Sequence, residues 1–139
     1  MTTSSWLVVC LAGLTACTTE PAWNGTYKIS TSGDTCHPSD ASSIDFKDNI
    51  VGVGYPAKAP LPTTYSVTNV VFDHLQVTFD SAWSYRNTDS FDFSSDQEHY
   101  ALTVSPTTMT GTVDGTYNGE YYSNMWSCTA TLTVTGTRI

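Results

Sequence analysis

At 139 residues, with 5 Lys and Arg against 13 Asp and Glu, the chain carries a formal net charge of −8. Such a surplus of carboxylates repels phosphate backbones and anionic headgroups, which argues against nucleic-acid binding and against a polybasic membrane patch. The length allows one domain.

The chain opens on an apolar run from Trp6 to Leu14. A membrane-spanning helix needs about 20 apolar residues, so this run is too short to span, but it has the length of a signal-peptide core. It ends in Leu14-Thr15-Ala16-Cys17. This tetrapeptide resembles a bacterial lipobox, in which small residues fit the signal peptidase and the Cys thiol takes a diacylglycerol. The resemblance implies that Cys17 is lipidated and becomes the first mature residue. It also implies an anchor of two or more acyl chains, each buried CH₂ contributing roughly 0.8 kcal/mol. One departure is that residues before the run include no Lys or Arg. The competing reading is a buried N-terminal element with Cys17 as an ordinary core thiol. The expected organisation is a signal peptide over 1–16, a tether over 17–21 and an all-β domain over 22–139. In Gram-negative lipoproteins a residue other than Asp after the acylated Cys favours the outer membrane, and Thr18 fits that destination.

With Cys10 in the leader and Cys17 acylated, Cys36 and Cys128 remain as a pair. Outside the cytoplasm such a pair is expected to form a disulfide. Closing a loop of about 90 residues would contribute roughly 4–5 kcal/mol in the chain-entropy model. The pair has no CxxC spacing that would recommend a metal site.

Beyond the tether the hydrophobic period is two. Trp23, Gly25, Tyr27 and Ile29 share one face of a first strand, which Ser32-Gly33-Asp34 ends. Ile44 to Tyr55 predicts two short strands turning at Lys47-Asp48-Asn49. Pro56, Pro60 and Pro62 then break regular structure. Thr64–Phe72 and Leu75–Phe79 predict a hairpin turning at Asp73-His74, with Leu75, Val77 and Phe79 facing in. Trp83 and Tyr85 alternate, as do Phe91 and Phe93, around a turn at Asn87-Thr88-Asp89-Ser90. A strand from Glu98 to Val104 follows, then alternation of Met109, Gly111 and Val113 with threonines. Asp114-Gly115 and Asn118-Gly119 are both hairpin signals, and one of them is expected to turn the chain. In the last strand Cys128, Ala130, Leu132, Val134 and Gly136 oppose a ladder of Thr129, Thr131, Thr133, Thr135 and Thr137. No window has a helical period. The expected fold is all-β, a single antiparallel meander closed into a barrel rather than a sandwich.

The stretch Trp23-Asn24-Gly25-Thr26-Tyr27 resembles the first-strand Gly/Trp signature of lipocalin- and avidin-like barrels, and Val113-Asp114-Gly115-Thr116-Tyr117 echoes it. The resemblance covers a few residues and implies a barrel. The order of Gly and Trp differs from the lipocalin pattern and no ligand-contact motif follows, so no ligand is carried over.

Candidate chemistry is sparse. Asp89, Asp92, Asp96 and Glu98 supply hard oxygen donors that could hold Ca²⁺, but their spacing matches no EF-hand and such runs are usually solvated loops. His37, His74 and His99 lie on separate segments without a zinc spacing. There is no GxSxG or SxxK signature. Tyr121, Tyr122 and Trp126 form an aromatic group near Cys128, expected in a loop and suited to a protein or carbohydrate partner; packing at the barrel mouth is the alternative. The expectation is a non-catalytic lipoprotein of the cell envelope with a binding or structural role and no cofactor. A carrier of a small apolar ligand inside the barrel is the alternative, and a hydrolase using two carboxylates the second.

Overall fold

The structure, a computed structural model, describes residues 23–33, 41–55, 64–86 and 93–139. Cys10, Cys17, Cys36, His37, Asp89 and Asp92 lie outside them. Eight strands follow one another: β1 Gly25–Ser32, β2 Ser43–Lys47, β3 Ile50–Gly54, β4 Thr64–Asp73, β5 Gln76–Arg86, β6 Phe93–Val104, β7 Thr108–Tyr121 and β8 Asn124–Arg138. Among the described residues there is no helix.

All strands join one antiparallel sheet in the order β3-β2-β1-β8-β7-β6-β5-β4. Sequence neighbours pair, and β8 returns to β1 through Tyr27↔Arg138 to Ser32↔Thr133. The result is the expected all-β meander, a nearly closed barrel. Only the seam between β3 and β4 lacks a backbone ladder among the described residues. There the Val53 N–H donates to Tyr65 Oη at 2.9 Å, a side-chain oxygen standing where a strand carbonyl would be.

The alternation read from sequence sets the two faces. Tyr27, Ile44, Phe46, Val77, Phe79, Tyr100, Leu102, Met109, Val113, Leu132 and Val134 fill the interior. The threonines of β7 and β8 point outward, where β-branched polar side chains suit a solvated sheet face. Aromatic rings pack edge-on or stacked: Phe79 lies on Tyr100 with ring centres 4.7 Å apart, and Trp23 stacks on Phe72 at 5.8 Å. Each fully buried apolar side chain of this size contributes roughly 1.5–3 kcal/mol.

The barrel has two unlike ends. One gathers the start of β1, the end of β8 and the β6–β7 turn: Ile139 N–H donates to Thr26 O at 3.0 Å, and Arg138 N–H to Thr107 O at 2.9 Å. At the other end β7 turns into β8 at Tyr122-Ser123.

Several expectations need correction. Neither Asp114-Gly115 nor Asn118-Gly119 turns the chain; both lie inside β7. Their glycines make room for aromatic rings. A Cβ at Gly115 would collide with the ring and hydroxyl of Tyr117, and one at Gly119 with the indole of Trp126. The turn falls instead on Tyr122 and Ser123, with φ of 48° and 65°, the paired left-handed conformation that matches strand twist in a two-residue hairpin. Leu75 sits exposed in the β4–β5 turn rather than facing in. β5 runs on through Trp83 to Arg86, and β6 begins at Phe93 rather than Glu98.

Candidate functional site

β6 carries Ser94-Ser95-Asp96-Gln97-Glu98-His99 straight across the sheet between β5 and β7. Strand geometry sends alternate residues to opposite faces, so Asp96 and Glu98 enter the barrel with Tyr100 and Leu102. Asp96 is 1% exposed and Glu98 3%. The expected solvated acidic loop is therefore, at these two positions, an interior strand. Asp89 and Asp92 lie outside the described residues.

A carboxylate in such a place needs donors. Tyr100 Oη donates to Glu98 Oε2 at 2.7 Å, and Tyr117 Oη donates to Oε1 at 3.2 Å. Gly115, directly opposite Glu98, lets the Tyr117 ring lean across to reach it. Both oxygens of Glu98 thus accept from phenols, an arrangement that suits the ionised carboxylate. Ser81 faces Glu98 from β5 and Trp83 faces Asp96.

The seam side is closed by aromatics. Tyr55 packs edge-on against Tyr65 and Trp83, at 6.0 and 5.9 Å between ring centres. Burial pushes the Tyr55 hydroxyl well above the ordinary phenol range; the charge of Glu98 adds to this, and the Ser81 hydroxyl beside it opposes it. Burial also raises Tyr65, against the stabilising hydrogen bond from Val53 N–H. Among the described residues the Oγ of Ser81, a residue 2% exposed, and the Oη of Tyr55 find no well-formed hydrogen bond. They face each other closely enough for Ser81 to favour the Tyr55 phenolate.

The outer surface of the same strands holds a second polar group. His99 Nδ1 lies 2.6 Å from Asp80 Oδ1, and Asn69 Nδ2 donates to Asp80 Oδ2 at 2.6 Å. The Asn69 hydrogen bond, and then that of His99, hold the Asp80 carboxyl below its usual range. Asn69 reaches it because β4 bulges between Thr68 and Val71 and Asn69 turns left-handed, φ 53°. His74 sits in the β4–β5 turn beside Asp73, on a different part of the surface from His99. Among the described residues no group of three or more His, Cys, Asp or Glu is placed to hold a metal ion.

The aromatic group near the hairpin is placed on strand ends rather than in a loop. Tyr121 closes β7, Tyr122 is in the turn at 74% exposure, and Met125 (85% exposed) and Trp126 begin β8. Trp126 covers Gly119 across the hairpin, so part of its role is packing. Cys128 follows, half-buried opposite Tyr117. No other cysteine falls among the described residues.

The buried acids escaped sequence reading because every residue from Ser94 to His99 is polar; the tyrosines that enclose them come from other strands. No family model matches the chain, and neither a curated protein nor a solved structure matches it.

Proposed function

We propose that the chain is a lipid-anchored protein of the bacterial envelope, tethered through Cys17 and non-catalytic, which displays a recognition end away from the membrane. The observation that carries the display is the opposition of the two barrel ends. β1 starts beside the end of β8, whereas Tyr122, Met125 and Trp126 surround the start of β8. Fifteen strand residues separate them, about 50 Å along the strand. A tether leading into Trp23 and Gly25 holds the exposed aromatics outward, toward a protein or carbohydrate partner.

The Cys36–Cys128 staple is part of this proposal. Its support is that β1 leaves the sheet at Ser32 opposite Thr133, heading along β8 toward Cys128. Gly33, at φ 153°, lies against the backbone of Thr131 and Leu132, three residues before Cys36 and close to Cys128. The carrier alternative loses ground because Tyr27, Phe46, Phe79, Tyr100 and Leu132 occupy the barrel centre. The hydrolase alternative rests on Asp96 and Glu98, but the phenols that hold both oxygens of Glu98 give it a structural role.

Membrane fractionation with palmitate labelling tests the anchor. Cys17→Ser is expected to abolish label and move the protein to the soluble fraction. Unchanged membrane association without acylation would refute the anchor.

A further inference from the structure

We propose that the β3–β4 seam is a lateral opening into the polar part of the barrel, latched by Tyr65. Every other strand boundary is closed by a backbone ladder, whose separation would break several hydrogen bonds together. Across the described part of the seam the specific polar link is the Val53 N–H to Tyr65 Oη bond, 2.9 Å long. Behind it stands a relay of rings, Tyr65 on Tyr55 and Tyr55 on Trp83, joined edge to edge without interlocking backbone. Immediately inside, the Ser81 and Tyr55 hydroxyls lie side by side and, among the described residues, lack well-formed hydrogen bonds. The charge of Glu98 acts on both Tyr55 and Tyr65, so the relay stands near the buried acid.

β4 is built to move. It is an end strand of the sheet, its register breaks between Thr68 and Val71, and Asn69 there is left-handed. Most of its residues are exposed or half-buried. Edge strands with few buried contacts open at lower free energy than central ones. When Tyr65 swings off Val53, Ser81 becomes reachable from solvent while β5 to β8 stay paired. The opening admits water and small solutes to the interior hydroxyls without unfolding the barrel.

The test uses the full chain with Ser81→Cys, probed by a small methanethiosulfonate reagent, with and without Tyr65→Phe. The phenyl ring keeps the packing and removes the acceptor. The introduced thiol is expected to label about two- to tenfold faster in the Tyr65→Phe chain, the effect of one hydrogen bond on an opening equilibrium. Amide exchange at Tyr100 and Val113, in the central ladder, should stay the same. Equal labelling rates overturn the latch. So does faster labelling accompanied by equally faster exchange at Tyr100 and Val113, since the route would then be global unfolding. Should Ser81→Cys fail to fold, amide exchange in β4 against Tyr100 decides between the same outcomes: selective acceleration by Tyr65→Phe supports the latch, and uniform or absent acceleration overturns it.

Discussion

Glu98 sits in the barrel with a phenol on each oxygen, and the cost of disturbing that arrangement is set by burial rather than by the bonds alone. Tyr100→Phe keeps the stack on Phe79 and removes the 2.7 Å donor to Glu98. Hydrogen bonds to charged groups contribute about 1.5–3 kcal/mol, and urea denaturation is expected to show a loss in that range. A change below about 0.5 kcal/mol would mean that Glu98 is neutral or satisfied elsewhere. On the outer face, Asn69→Ala removes the first cause of the lowered Asp80 titration, so the carboxyl should titrate at higher pH in carbon NMR. Because the folded carboxyl titrates below its unfolded value, its contribution is present above the unfolded pKa and disappears as pH falls through the folded one. Acid unfolding of Asn69→Ala should therefore begin at higher pH. None of this was legible in the sequence. Polar residues on both faces of Ser94–His99 erase the hydrophobic period, and only the neighbouring strands decide which carboxylates go inside.

At the level of strands the period-two pattern was legible wherever one face is apolar, as in β1, β3 and β8. It misplaced the last turn because glycine answers two demands with one residue type: left-handed backbone, and room for a ring. Gly115 and Gly119 serve the second, leaving the left-handed turn to Tyr122 and Ser123. That conformation costs a residue with a Cβ about 1–2 kcal/mol. Ser123→Gly should accordingly raise the melting temperature, with a gain of about 0.5–1 kcal/mol. Gly115→Ala should do the reverse, pushing the Tyr117 hydroxyl off Glu98 and destabilising by about 1–3 kcal/mol through overpacking. If thermal denaturation ranks these two variants the other way, the assignment of turn and ring space is wrong.

The whole molecule was legible in its class, because alternation, the threonine ladder and the absence of helical period act over most of the chain. That β3 and β4 are the two strands left without a shared ladder among the described residues was not, since it depends on barrel curvature rather than on local residues. Reduction of the proposed Cys36–Cys128 disulfide should lower unfolding free energy by about 2–5 kcal/mol, measured with and without reductant. Mass spectrometry of alkylated, unreduced protein should leave Cys36 unmodified; an alkylated Cys36 would refute the staple. The bond between Ile139 and Thr26 has a practical corollary for anyone decorating this barrel. A reporter fused after Ile139 emerges on the rim where β1 begins, on the side of the proposed tether. Spliced between Tyr122 and Ser123, the same reporter stands on the far rim, away from that side and open to antibodies.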